Sequence, residues 1–329
     1  METITADIRF GPSVQTEPYI EELQRVAHGI DTVNPDHLTA AGVQQAVKTI
    51  RSLDIAEAGA LTDTFQEQIN LMYQAAKQLA IANSDAALQG LSATPAEMIA
   101  VPMTENIALR FNQNHAVMLL AAPGNESDIT LLERQTSTGQ MQTRTIPFSA
   151  VTSLLPSAVQ TPGFVFHRLL FIPSDTFEAT VTHTLVAEQW QQFKTLMLGL
   201  YGGLLVGVCQ KMTESAYQYA RERQSSGKPI YQHQAVALRL ADITLHQEAL
   251  TLYLDFLFDQ EIAAADTIVP VLDYLDELTF KLSRDALQTA AGHGFVEGLP
   301  FSRLFEQVKT LMGQLHLWAS VDSDSKEAV

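Results

Sequence analysis

Arg221, Glu222, Arg223, Lys228 and Gln234 fall within one short stretch, Tyr219 to Asp242, around the turn sequence Ser-Ser-Gly-Lys-Pro at 225–229. Two pieces of chemistry fit. Guanidinium groups at a helix–helix turn can form a fork that matches phosphate oxygens through charge-assisted, bidentate bonds. Basic residues in a last helical turn also complement the helix macrodipole with no ligand at all. The stretch by itself leaves both readings open.

Few other residues compete as a site. There is no HExxH, no CxxC, and the nine histidines show no metal-ligand spacing, so no metal is expected. A P-loop, a strand–GxGxxG–helix and a GxSxG elbow are also absent. Cys209, the single cysteine, lies in an apolar helix and reads as a small packing hydrophobe. His233 and His293 flank the two polar turns of the C-terminal half and read as structural or solvent-facing histidines. No residue is assigned a catalytic role.

The elements that position this stretch divide the 329 residues into three regions. Residues 1–98 are helical in pattern, with Phe65, Ile69, Met72 and Ala76 at helical spacing, and Asn34-Pro35 and Ser84-Asp85 as punctuation. Residues 99–184 carry short, partly alternating runs (Asn106–Phe111, Ala116–Ala121, Ile129–Arg134, Gln142–Ile146, Phe164–Phe171, Phe177–His183), which predict a small antiparallel sheet or barrel. Residues 185–329 predict an up-and-down four-helix bundle. Its helices run from Glu188 to about Arg223, Tyr231 to Gln260, Asp266 to Ala290 and Phe301 to Trp318. The first carries Gly199, Gly203 and Gly207, a row that suits close helix approach; the second is apolar nearly all round and is expected to be buried on most sides. The fold class is mostly α with a small central β-domain.

Hydrophobic residues at 46 % and charged residues at 17 % indicate a globular chain, and a net charge of −17 argues against nucleic acid or an anionic membrane as partner. The apolar run Leu196–Cys209 falls short of a spanning helix, and the N-terminus lacks a basic segment followed by an apolar one. With one cysteine, a cytoplasmic location is expected.

The order of helices, β-domain and four-helix bundle resembles the acyl-CoA dehydrogenase family. Tyr219, Arg223, Gly227, Lys228, Ile230, Gln234, Leu240, Ala241 and Asp242 look like that family's motif at the end of the first bundle helix. Gln288, Gly292, Gly294, Phe295, Pro300 and Leu304 look like its Gln-x-x-Gly-Gly-x-Gly-Phe segment and the proline that opens the last helix. The resemblance implies a flavin enzyme: FAD takes a hydride from the β-carbon of an acyl-CoA while a glutamate removes the α-proton. It also implies a flavin at a subunit interface, with the motif arginine and the Gln/Gly segment reaching the cofactor's pyrophosphate and adenosine end in the neighbouring subunit. On this chain those contacts fall to Arg223, Ser225, Gln234, Gln288 and Gly292.

The departures from the family pattern are uneven. Its usual base position matches about Leu315-His316-Leu317 and its alternative one about Met197, neither with a carboxylate. Thr104-Glu105 is followed by Asn-Ile-Ala in place of a Gly/Ser-rich flavin loop; Ser226 stands where phenylalanine is expected and Ala291 where the first glycine of the pair is expected. The pattern implies the non-catalytic subunit of a heteromeric acyl-CoA dehydrogenase, of the kind found in bacterial steroid degradation. A catalytic partner subunit would share the FAD and hold most of the acyl-CoA site. The alternatives are a flavin-free homodimeric scaffold of the same fold and, third, a complete enzyme with a displaced base such as Glu297 or Glu105.

Overall fold

The computed structural model describes residues 23–27, 40–60, 62, 64–91, 94–103, 106–110, 115–120, 128–135, 138–147, 149, 152–153, 169–171, 180–259, 268–295 and 299–320. Asn34-Pro35, Thr104-Glu105 and Glu297 lie outside them, and with Glu105 and Glu297 the proposed displaced bases.

The N-terminal region comprises α1 (Ala40–Arg51), α2 (Ile55–Ala60), α3 (Phe65–Gly90) and α4 (Thr94–Met98). Helix α3 starts where Thr64 accepts a hydrogen bond from Glu67 N–H at 3.2 Å and the Glu67 carboxylate accepts one from Thr64 N–H at 3.2 Å, a reciprocal capping box. It kinks at Asn83 (φ −158°, ψ 102°), whose side-chain oxygen accepts from Ala86 N–H at 2.9 Å and so restarts the helix. The break falls one residue before the expected Ser84-Asp85 punctuation. The restarted end docks on the last helix through Ser84–Gln307 (2.9 Å) and an Asp85–Arg303 ion pair.

The β-region is mixed, which corrects the antiparallel expectation. Among the described residues its strands are β1 (Asn106–Arg110), β2 (His115–Leu120), β3 (Ile129–Arg134), β4 (Met141–Ile146), β5 (Thr152–Ser153), β6 (Leu169–Phe171) and β7 (Thr180–Thr184), in the order β5-β6-β2-β1-β3-β4-β7. Because β2 pairs on one side of β1, the chain crosses back to add β3 on the other side. That makes β1 and β3 parallel, with Asn106 opposite Ile129 and Leu109 opposite Leu132.

The bundle consists of α5 (Ala187–Glu222), α6 (Gln234–Asp259), α7 (Leu272–Ala290) and α8 (Phe301–Ser320). Helix α5 is long and apolar enough to cross a membrane by composition, more so than the run Leu196–Cys209 alone suggests; 94 % of its most apolar window is buried inside the protein, so it is the core helix. It lies against α3. A Cβ at Gly203 would come within 2.3 Å of Tyr73 O, and one at Gly207 within 2.6 Å of Lys77 O, so only glycine permits this backbone separation. Helix α6 is pinned to α3 by Asp255, which accepts from Tyr73 Oη (2.7 Å) and from Lys77 Nζ (2.7 Å). The start of α5 meets the end of α8 in an aromatic cluster of Trp190, Phe193 and Trp318, with Phe193 edge-on to Trp318 at 5.7 Å.

The expectation that α6 is buried on most sides fails. Leu254 and Phe258 are fully buried, but Leu238 (60 %), Leu245 (66 %), Leu252 (62 %) and Phe256 (49 %) are exposed. The helix has two apolar faces and the chain covers one of them.

Candidate functional site

The site is built from the two turns at one end of the bundle. Arg223 ends α5: its backbone turns extended (φ −74°, ψ 127°) while its N–H still donates to Tyr219 O at 2.9 Å. A miniature hairpin follows, β8 (Gln224–Ser225) with β9 (Lys228–Pro229), Ser225 opposite Lys228. The two loop residues, Ser226 (φ 53°) and Gly227 (φ 77°), both take positive φ, as a type I′ hairpin demands. This conformational demand accounts for glycine in the first motif. Ile230 N–H then donates to Arg223 O at 2.8 Å and closes the loop. A 3₁₀ turn, Ile230–Gln232, leads into α6, where Val236 and Ala237 N–H both bond His233 O at 2.9 Å.

The second turn caps α7. Ala291 (φ 51°, ψ −135°) leaves the helix in a region that strongly favours glycine, and a 3₁₀ turn, Ala291–Phe295, follows. Gly294 packs closely, since a Cβ there would stand 3.0 Å from Leu287 O, whereas at Gly292 a Cβ would meet open space.

Two contacts tie the turns together. Tyr219 Oη lies 2.8 Å from His293 Nδ1, and Arg239 Nη1 donates to Gln288 O at 3.1 Å. His233 Nε2 lies 3.2 Å from Ser225 O, which braces the first turn from within. The two histidines are therefore braces, in line with their structural reading. Arg239 escaped the sequence reading; its only signal was that of a lone cation in an otherwise apolar and acidic helix.

Arg223, Ser225, Gln234, Gln288 and Gly292 are all exposed on these joined turns. The side chains of Arg223, Ser225, Gln234 and Gln288 have no hydrogen-bond or ion-pair partner among the described residues. A guanidinium and uncommitted donors exposed on the joined turns, with open space at Gly292, are of the chemical kind that suits a phosphate-bearing group such as the pyrophosphate and adenosine end of FAD.

The positions where a base would be sought are of another kind. Met197 and Leu315 are fully buried among apolar side chains. Helix α8 runs on unbroken through Ser320, so the 315–318 turn packs inward with Trp318 against Trp190 and Phe193. His316 instead pairs with Asp276 at 2.7 Å on the half-exposed side of the bundle. Burial pushes the pKa of the Cys209 thiol well up, which removes it as a nucleophile. No group of three or more potential metal ligands occurs among the described residues.

The architecture and the joined turns define a class, and comparison with known proteins agrees. Over nearly its full length the chain has the acyl-CoA dehydrogenase fold. It superposes on a glutaryl-coenzyme A dehydrogenase in complex with glutaryl-CoA with a TM-score of 0.65 and 14 % identity, covering 96 % of each chain. A variant of the steroid ACAD Tcur3481-Tcur3483 gives a TM-score of 0.57 and 15 % identity, covering 94 % of this chain and 96 % of that one. Residues 199–312 match the family described as "Acyl-CoA dehydrogenase, C-terminal domain". In sequence the chain is similar to the caffeyl-CoA reductase–Etf complex subunit CarC of Acetobacterium woodii, 28 % identical over 121 residues, 35 % of this chain and 32 % of that protein. The matched segments span between 28 % and 33 % of the relatives from Bacillus subtilis, Acetobacterium woodii and Clostridium sporogenes.

Proposed function

We propose that this chain is the non-catalytic subunit of a heteromeric, FAD-dependent acyl-CoA dehydrogenase. The observation that carries the proposal is a contrast: the joined turns offer uncommitted phosphate-type donors, while neither position matching a family base carries a carboxylate, Met197 and Leu315 being buried and His316 paired with Asp276. Arg223 would hold the flavin pyrophosphate by charge-assisted bonds, and Ser225, Gln234, Gln288 and the open backbone at Gly292 would receive the adenosine end. FAD supplies the hydride acceptor for α,β-desaturation of an acyl-CoA. The carboxylate base and most of the thioester site belong to the partner in this reading. The multi-chain relatives support it: one is a subunit of an Etf complex, and another is a steroid ACAD with a two-part name. A bulky, steroid-derived acyl group is the substrate class proposed, and the cytoplasm the compartment.

The alternative is a flavin-free homodimeric scaffold, favoured by the fact that Tyr219–His293 and Arg239–Gln288 hold the turns together without a ligand. Co-purification with a co-encoded acyl-CoA dehydrogenase-like chain that carries the glutamate separates the two. The proposal expects a yellow complex with one flavin per heterodimer, little flavin on this chain alone, and loss of flavin in Arg223→Ala with helix content unchanged. A colourless complex would refute it and leave the scaffold, and flavin retention indifferent to Arg223 would remove this arginine as a flavin ligand.

A further inference from the structure

We infer that His293 is a further ligand-binding residue of the joined turns. Its Nε2–H donates to a phosphoryl oxygen of the cofactor, and Tyr219 is the residue that positions its ring. The inference rests on the functional reading above and deepens it, because it makes retention of the cofactor depend on the charge of one histidine.

The contacts fix both the place and the tautomer of the ring. Half-buried Tyr219 meets the rings of His293 and Phe301 edge-on, at 6.2 and 6.1 Å, and is a fixed support. Its hydroxyl carries one proton and has two acceptors in reach, His293 Nδ1 at 2.8 Å and Ala290 O at 3.5 Å. The longer contact is at the limit of a hydrogen bond, so the proton goes to Nδ1. A neutral imidazole whose Nδ1 accepts carries its own proton on Nε2. When the ring is protonated, Nδ1–H donates to Tyr219 Oη instead and the hydroxyl turns to Ala290 O. The ring therefore stays in place in either state, and Nε2 is a donor in both. His293 is exposed, and its Nε2 has no hydrogen-bond partner among the described residues.

Position groups this donor with the others. Tyr219 and Arg223 are four residues apart, neighbours on one helix face with Cβ atoms about 5–6 Å apart, and Arg223 N–H bonds Tyr219 O. On the other turn, His293 follows Gly292, where a Cβ would meet open space, and Gln288, whose carbonyl Arg239 holds. Histidine changes charge between about pH 5 and 8, so Nε2–H becomes a charge-assisted donor as pH falls. The neighbouring charged groups have other partners. Glu222 of α5 accepts from Gln218, Lys228 of the hairpin donates to Gln232 O, and His233 and Arg239 of α6 lie on Ser225 O and Gln288 O. Arg284 of α7 pairs with Asp285, and Arg303 of α8 with Asp85. Arg221, Arg223 and Asp242 make no contact with His293 among the described residues, and Glu297 lies outside them. No carboxylate among the described residues pairs with His293, so the charge it gains is left for the ligand.

The test uses the full chain in complex with the co-encoded acyl-CoA dehydrogenase-like chain. FAD is added back to the deflavinated complex as the probe, and bound flavin is read by absorbance. Wild type should hold FAD about tenfold more tightly at about pH 6 than at about pH 8.5, the effect of one charge-assisted hydrogen bond. His293→Gln should remove most of this pH dependence. Tyr219→Phe, which keeps the ring packing and frees the imidazole, should reduce it. His293 is exposed and Tyr219→Phe conserves shape, so unchanged helix content confirms folding; a role in bracing alone would move the melting temperature and leave the pH profile as it is. In two-bond proton–nitrogen spectra of the full chain alone, the histidine signal lost in His293→Gln should carry its proton on Nε2 at about pH 8.5. A proton on Nδ1 overturns the assignment of the donor. No pH dependence in wild type, or wild-type dependence kept in His293→Gln, in a complex that stays yellow and loses flavin in Arg223→Ala, overturns this inference and leaves the functional reading intact. A complex that takes up no FAD overturns both.

Discussion

Substituting Gly203 by alanine tests the packing on which the architecture depends. The ideal Cβ would stand 2.3 Å from Tyr73 O, 2.8 Å from Ala76 Cβ and 2.9 Å from Lys77 N. Two of these are backbone atoms of a helix, so no rotamer change relieves the clash and α3 and α5 must separate by about an ångström. Helix α3 is not free to move. Its Tyr73 and Lys77 side chains are held by Asp255 of α6, and its C-terminal end is held by Ser84 and Asp85 on α8. Overpacking of this kind costs ~1–3 kcal/mol, and separation also weakens dispersion contacts along the buried seam. Against that, alanine in a helix interior gains ~1 kcal/mol over glycine. The net expectation is a destabilisation of ~1 kcal/mol, the middle of the overpacking range less the helix gain. Two controls share the chemistry without the clash. At Gly199 the nearest atom to a Cβ is 3.4 Å away, and at Gly313 on α8 nothing lies within 4 Å. Gly313→Ala should therefore stabilise by up to ~1 kcal/mol, and Gly199→Ala should be neutral or mildly stabilising. Guanidinium denaturation followed by far-UV circular dichroism measures all three. The reasoning is refuted if Gly203→Ala is as stable as Gly313→Ala.

Two further outcomes follow from backbone strain and burial. Ala291 holds φ 51° and ψ −135°, so Ala291→Gly should raise stability by ~1 kcal/mol, read as a higher denaturation midpoint; an unchanged or lower midpoint would show that the strain is absent. Burial raises the Cys209 thiol pKa above its ordinary value of 9.0, so the unfolded chain releases this proton before the folded one. Its contribution is fully present below pH 9 and is lost as pH rises beyond. Stability should fall above about pH 9, with a shallower initial fall in Cys209→Ala, and the native thiol should resist a disulfide reagent at pH 8 until the protein unfolds.

Much of the fold is local and was therefore legible in the sequence. Helical periodicity marked α5, α6 and α8 to within about three residues and the end of α7, and put Phe65–Ala76 of α3 in a helix; Ser226-Gly227 marked a turn whose positive φ values the structure displays. The glycine row announced close approach, though not that its neighbour is α3. The β-region was read as strands, but strand order is a non-local property. Nothing in the alternation of Asn106–Arg110 and Ile129–Arg134 distinguishes a parallel from an antiparallel partner. The candidate site was nameable in advance as two motifs 65 residues apart, from Arg223 to Gln288. What joins them, Tyr219 to His293 and Arg239 to Gln288, depends on how α5, α6 and α7 pack.

Helix α6 shows the division most plainly. Its sequence is apolar around nearly the whole circumference, and that much composition alone determines. Only the tertiary structure decides which apolar face this chain covers, because burial is set by what α3, α5 and α7 bring alongside. Leu254 and Phe258 go to the core, and Leu238, Leu245 and Leu252, equally hydrophobic, remain outside.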